Sequence, residues 1–238
     1  MGFELVALDA DDTLWHNEIH YRQGREVFSR IMERYSLQDH PEPRLHEIEI
    51  ANLKYYGYGA VGFAISMAEA ALELTEGEIE SADLFRLIEV SKDIISADVE
   101  LFEGVESAVR TLCMSHKLML LTKGNENHQL SKIDRSGLKS YFQHVQIVSD
   151  KTASTYAAIL EDLGIPSQRF IMVGNAMKSD ILPVLEIGGY AVYIHNDLTW
   201  EHEMAEHSGV GRERFFELER ISELPALVSD IEAHMSVS

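Results

Sequence analysis

The sequence predicts an α/β protein: a doubly wound, Rossmann-like parallel sheet interrupted by an inserted all-helical block. Three observations carry that expectation. Short apolar runs alternate with helical patterns from about residue 98 onward, the signature of parallel strands joined by right-handed crossovers. A matching apolar run stands alone near the N-terminus, at Leu5-Val6-Ala7-Leu8. Between the two lies a stretch from about His16 to Asp98 with helical spacing throughout and no clear strand. The expected division is residues 1–15 with 98–238 as one α/β domain and residues 16–97 as the insert.

The first run is apolar at four consecutive positions, as in a strand buried on both faces. It ends in Asp9-Ala10-Asp11-Asp12-Thr13. Residues two apart on a strand face the same way, so Asp9 and Asp11 can converge at its carboxyl end. Such a pair suits a hard cation, or a nucleophile beside an acid/base. A polar strand exit in which the aspartates cap a turn is the simpler alternative.

In the insert, Val27, Phe28, Ile31, Met32 and Tyr35 mark one helical face, and Leu84, Leu87, Ile88 and Ile95 another. Ala60 to Leu74 is apolar nearly all round, as expected of a helix packed among others. Thr75 with Glu78 has capping-box spacing ahead of the last helix.

Beyond the insert, Val105, Ala108, Val109 and Leu112 predict a helix and Leu118–Leu121 a buried strand. Leu130 and Ile133 suggest a short helix, followed by a strand at Val145–Val148. Tyr156, Ile159, Leu160 and Leu163 mark a helix that stops at Gly164 with Pro166 beyond. Phe170–Val173 is a strand, Ile181–Ile187 a helix ended by Gly188-Gly189, and Tyr190–Ile194 a strand. Phe215–Leu218 reads as an edge strand and Leu224–Met235 as a closing helix.

Bulk properties narrow the function. Forty acidic against twenty basic side chains give a formal charge of −20, which argues against nucleic acid as a partner. An anionic substrate would meet an opposing field, reversed only by local cations or a metal. The single Cys113 excludes an intrachain disulfide and fits a reducing compartment, as a core thiol on an apolar helix side. No signal peptide or membrane-spanning run is visible. A cytoplasmic protein is the expectation.

Ligands of doubly wound sheets bind at the carboxyl ends of strands, and three further ends carry complementary chemistry. One presents Thr122-Lys123-Gly124-Asn125, a hydroxyl and a flexible turn whose amides suit an oxyanion. The next presents Ser149-Asp150-Lys151, the lysine opening a helix. The third presents Gly174-Asn175 and, five residues after the asparagine, Asp180. Together they describe a metal beside a phosphoryl pocket.

These four motifs, in this order, resemble those of the haloacid dehalogenase-like (HAD) hydrolase superfamily, and the insert resembles its C1-type helical cap. The resemblance implies an aspartyl-phosphate mechanism. Asp9 would be the nucleophile, and Asp11 the acid that protonates the leaving oxygen and then takes a proton from water. Mg²⁺ would be held by Asp9, the Asp11 carbonyl and Asp180, with Asn175 beside it. Thr122, Lys151 and the backbone amide of Lys123 would hold the phosphoryl oxygens. Asn175 stands where many relatives carry Asp, so a weaker metal site is expected. Thr152 stands where relatives often have Pro, which touches helix-start geometry. Relatives that cleave carbon–halogen bonds typically lack the second acid, so Asp11 favours phosphate monoesters.

The expected activity is therefore a Mg²⁺-dependent phosphatase acting on a small phosphorylated metabolite. A phosphoglucomutase-like transferase and a HAD-fold binding or regulatory protein are the alternatives. The cap would close over the core, with Tyr55, Tyr56 and Tyr58 as possible substrate contacts. Trp15 and His16 would line the cavity or act as a hinge. Gly57-Tyr58-Gly59-Ala60-Val61-Gly62 matches a dinucleotide fingerprint in letters but lacks the preceding strand. His202 and His207, five apart, fall on different helical faces and do not form a zinc-protease pair.

Overall fold

The computed structural model describes residues 2–35, 37, 40–205, 209 and 211–235. By contact density the chain divides into two units, Met1–His16 with Val99–Lys123 and Gln129–Ser238, and Asn17–Asp98 with Gly124–His128.

The first unit is built on six parallel strands: β1 (Leu5–Leu8), β2 (Lys117–Lys123), β3 (His144–Val148), β4 (Phe170–Gly174), β5 (Tyr190–Ile194) and β6 (Phe215–Leu218). Their order in the sheet is β3-β2-β1-β4-β5-β6. The strand order reverses at β1, which pairs with β2 on one side and β4 on the other, so the ends of β1 and β4 flank the switch point where such sheets bind ligands. All four residues of β1 are buried.

Alternation along the strands feeds two cores. Val6, Leu8, Leu118, Leu120, Ile171 and Val173 face the helices α5 (Val105–Leu112) and α9 (Leu224–Met235). Leu5, Ala7, Met119, Leu121, Phe170 and Met172 face α7 (Ala153–Leu163) and α8 (Leu182–Glu186). The helix α7 starts at Thr152, whose hydroxyl accepts from the Thr155 amide at 3.2 Å, and ends at Gly164 in the left-handed region. Thr152 is thus an N-cap. The α8 segment is preceded by one π-helical turn, Met177–Ile181, ahead of the helix that the sequence pattern predicts from Ile181. That turn carries Asp180.

The second unit holds α1 (Glu18–Met32), α2 (Pro41–Tyr56), α3 (Ala60–Leu74) and α4 (Ser81–Ser96) around a core that includes Phe28, Phe63, Met67, Leu87 and Val90. Gly24 makes the crossing possible, since a methyl there would come within 2.8 Å of Phe63 and Val90. Three details differ from the sequence expectation. Thr75 does not begin a capping box; it ends α3, its hydroxyl donating to the Ala71 carbonyl at 2.7 Å. The α4 helix buries Asp83, Leu87, Val90 and Ile94, leaving Ile88 and Ile95 exposed. Asp83 turns inward because Arg34 pairs with it and the Tyr35 hydroxyl donates to it at 2.7 Å, which rotates the helix off its apolar stripe. The third is α3, which is not covered all round: Val61, Ile65 and Leu72 remain exposed.

Among the described residues no helix is long and apolar enough to cross a membrane. Gly57 to Gly62 joins α2 to α3 without a strand, so the dinucleotide-like letters lack the context they need. His202 lies in a single 3₁₀ turn, and His207 lies outside the described residues. Cys113 is half-buried at the end of α5, its thiol donating to the Arg110 carbonyl.

Candidate active site

The acidic end of β1 is held by the sheet before its side chains do anything. The Asp9 amide donates to the Val173 carbonyl at 2.9 Å, continuing the β1–β4 ladder. A tight turn follows, with Leu14 N donating to Ala10 O at 2.8 Å and Asp12 N to Trp15 O at 2.8 Å. Asp12 adopts φ +63°, a conformation that Asp tolerates better than most residues. Its carbonyl accepts from Asn196 Nδ2 at 2.8 Å. Of the three clustered acids, Asp12 therefore shapes the turn while Asp9 and Asp11 carry free-standing carboxylates to two different networks.

The first network centres on Lys151. Its ammonium is 2% exposed and stands 2.5 Å from Asp9 Oδ1 and 2.7 Å from Asp180 Oδ1. Burial alone would lower the lysine's proton affinity, but the two carboxylates more than reverse that and hold it above the ordinary lysine range. Burial lifts Asp180 to about 6; Lys151 opposes that rise and Asp9 adds to it. Two carboxylates share one cation, so the cluster keeps an excess negative charge in a buried place.

Thr13 and Asn175 complete this side. Thr13 Oγ1 lies 2.9 Å from Asp9 Oδ2 and 3.1 Å from Asn175 Oδ1, and accepts from the Asn175 amide at 3.1 Å. Asn175 Nδ2 donates to Thr199 Oγ1 at 3.0 Å. Asp180 Oδ2 accepts from the Ala176 amide at 3.1 Å. Gly174 leaves room for that carboxylate, because any Cβ there would collide with it. Tyr156 supports the same turn, its hydroxyl donating to the Ser179 carbonyl at 3.0 Å.

The second network surrounds Asp11. Lys132 Nζ stands 2.6 Å from Oδ1 and 2.7 Å from Oδ2. Trp15 Nε1 donates to Oδ1 at 2.7 Å, and Gln129 Nε2 to Oδ2 at 2.9 Å. Burial would raise this acid, yet Lys132 and the two neutral donors outweigh it and hold Asp11 below the usual aspartate range. Gln129 also lies 3.0 Å from Thr122 Oγ1 and 2.7 Å from the Lys123 carbonyl, which ties the acid to the end of β2.

Lys123 turns its side chain elsewhere, to Ser179 Oγ at 2.7 Å and Glu203 Oε1 at 2.5 Å. Burial would raise Glu203, but Lys123 and Ser179 hold it below the ordinary range. The Lys123 ammonium is thus engaged with Ser179 and Glu203.

The sequence-nominated residues therefore fall into linked groups at the ends of β1, β2, β3 and β4. Asp9, Lys151 and Asp180 meet directly, Asn175 joins through Thr13, and Asp11 and Thr122 join through Gln129. Residues missed from sequence are Gln129, Lys132 and Glu203, while Thr13 of the first motif and Trp15, expected at the cavity or hinge, gain hydrogen-bonding roles that the motif does not announce. A signal for two of them existed: Gln129 and Lys132 are three apart and share one face of α6 (Glu126–Arg135). That helix buries His128, Gln129, Lys132 and Ile133 and exposes Leu130, so the expected apolar pair misplaced its inner face. Trp15 is fully buried, and His16 stacks on Phe102 at 3.9 Å between ring centres.

A switch-point site of two strand-end aspartates, a buried lysine and a third carboxylate defines a haloacid dehalogenase-like hydrolase, and the family model of that name matches residues 3–188. The chain belongs to this family and is a hydrolase. It is similar to the solved structure of a haloacid dehalogenase-like family hydrolase from Xanthomonas campestris, with 34% identity, TM-score 0.87, and 100% and 99% of the two chains covered. It is also similar to the N-acylneuraminate-9-phosphatase of Rattus norvegicus, 24% identical over 98% of this chain and 96% of that one. An L-2-haloacid dehalogenase from Xanthobacter autotrophicus shares the fold at 14% identity, TM-score 0.64, over 95% and 98% of the chains.

Proposed function

We propose that this hydrolase is a Mg²⁺-dependent phosphatase that cleaves a small phosphate monoester through an aspartyl-phosphate on Asp9. The observation that carries the reading is the pairing of Asp9 with a second, separately held carboxylate, Asp11. A carbon–halogen bond needs no proton on its leaving group, whereas an alkoxide leaving from phosphorus does. The likeness to a phosphatase over nearly the full chain supports the same choice.

The donor set fits Mg²⁺. Among the described residues no three His, Cys, Asp or Glu side chains gather around one point, so a cation here would rest on two carboxylates completed by amide and carbonyl oxygens and water. Asp9, Asp180, the Asp11 carbonyl and the Asn175 amide oxygen offer hard oxygen atoms only. Mg²⁺ prefers one or two carboxylates plus water, and the excess charge around Lys151 calls for a cation. When bound it would neutralise the repulsion between a carboxylate nucleophile and a phosphate dianion.

In this reading Asp9 Oδ attacks phosphorus in line while Lys151, Thr122 and the Lys123 amide bind the equatorial oxygens. The free protein holds Asp11 ionised, and the charge of a bound phosphate dianion would raise its proton affinity; Asp11 then gives its proton to the departing oxygen, and the ester alcohol leaves. Water then attacks the phosphoryl group on Asp9, Asp11 takes the water's proton, and the P–O bond returns its electrons to the Asp9 carboxylate. The test is turnover of p-nitrophenyl phosphate with Mg²⁺ and after chelation, followed by a phosphometabolite panel that includes sugar-acid phosphates. Asp11→Asn is expected to lower alkyl-phosphate turnover by on the order of 10²- to 10⁴-fold; wild-type rates in that variant would refute the assignment of the acid.

A further inference from the structure

We propose that Lys132 is the positioning residue for Asp11 in the hydrolytic half of this reaction, holding the carboxylate in the pose from which it accepts the proton of the attacking water. The proposal rests on the aspartyl-phosphate reading above and deepens it.

The geometry is specific. A carboxylate offers about four acceptor sites, and here each oxygen meets two donors: Trp15 and Lys132 at Oδ1, Gln129 and Lys132 at Oδ2. Trp15 and Gln129 each hold one edge, and both are themselves buried. Only Lys132 spans the two oxygens. It can therefore give up one oxygen as a proton arrives there and keep its hold on the other, so the plane of the carboxylate survives protonation. A neutral donor fixed to one oxygen has no such option.

Burial argues against a role in stability alone. Lys132 is 7% exposed, and taking an ammonium out of water is a penalty that an apolar pair of similar volume avoids. Its position on α6, one turn from Gln129, lets the same helix orient Asp11 and brace Thr122 through Gln129. The proton balance closes with water as the sole co-reactant. Water attacks phosphorus and its proton passes to Asp11; the bond to Asp9 breaks and inorganic phosphate leaves. The proton on Asp11 then serves the next leaving oxygen.

The experiment uses the full chain with Mg²⁺ and 2,4-dinitrophenyl phosphate, whose leaving group needs no proton. With this substrate kcat/KM reports formation of phospho-Asp9, and kcat reports its hydrolysis. Lys132→Met is expected to lower kcat by on the order of 10- to 100-fold, the scale of a small misplacement of a reacting group. KM falls with it, kcat/KM stays within about 3-fold, and the acid-quenched protein gains the mass of a phosphoryl group at steady state. Lys132→Arg is expected to restore most of kcat. A parallel fall of kcat and kcat/KM without a phosphorylated species, or wild-type values for Lys132→Met, overturns the proposal. Lys132→Gln, a neutral donor that cannot span both oxygens, must move the same split in the same direction and serves if Lys132→Met does not fold. A wild-type enzyme that turns over the ester yet never carries phosphate on Asp9 refutes the parent reading instead, and this proposal with it.

Discussion

A single ammonium group, Lys151 Nζ, balances two buried carboxylates, and the imbalance has a measurable sign. Burial lifts the Asp180 carboxyl to about 6 in the folded protein, well above the ordinary aspartate range. A raised acid contributes stability that is present at low pH and lost as pH rises through its folded value. The metal-free protein should therefore lose stability from this group between about pH 4 and pH 6. Asp180→Asn removes the excess charge and should raise the metal-free Tm at pH 7 by several degrees, equivalent to about 1–2 kcal/mol. The difference should vanish near pH 4. Mg²⁺ should raise the Tm of the natural protein and leave that of the variant unchanged. Thermal scans with and without chelator decide this, and a variant less stable than the parent at pH 7 would contradict the account.

Elements set where those groups stand, and they differ in how plainly the sequence announces them. The strands β1, β5 and β6 and the helix α9 follow from apolar runs and turn residues alone, most plainly β1, whose burial on both faces leaves little ambiguity. Asp9 and Asp11 were legible for a related reason, since charges at the end of a buried strand have few places to go, while Lys151 and Asp180 were legible from their places in the ordered motifs beyond β3 and β4. The α6 and α4 helices were misjudged because polar side chains take places on their inner faces. Gln129 and Lys132 point inward against Asp11, and Asp83 points inward against Arg34 and Tyr35. Partners distant in sequence override an apolar stripe, and no local periodicity records them. The strand end at Gly174 gives an element-scale prediction. Gly174→Ala forces the Asp180 carboxylate off its seat, so phosphatase activity and the thermal response to Mg²⁺ should fall together. The circular dichroism of the folded chain should stay the same. Full retention of both would show that the π-helical turn can shift without harm.

At the scale of the whole molecule the dominant quantity is the charge of −20. In the proposed reaction a phosphate dianion would approach against that field, which the strand-end cations and the proposed metal would reverse locally. Salt shortens the reach of the field from about 30 Å at 0.01 M to about 8 Å at 0.15 M. Raising ionic strength over that range at constant free Mg²⁺ should increase kcat/KM for a phosphate ester by a few-fold, mainly through KM. A steep decrease would mean that a cationic surface steers the substrate, contrary to the composition.

The indole that grips Asp11 also turns the protein into its own gauge. The chain has two tryptophans, so Trp200→Phe leaves Trp15 as the sole red-edge emitter, shielded from solvent and touching the acid at 2.7 Å. Its emission should shift when Asp11→Asn neutralises that contact, and a stopped-flow trace during turnover should follow the side chain through each passage of the proton, with no label attached.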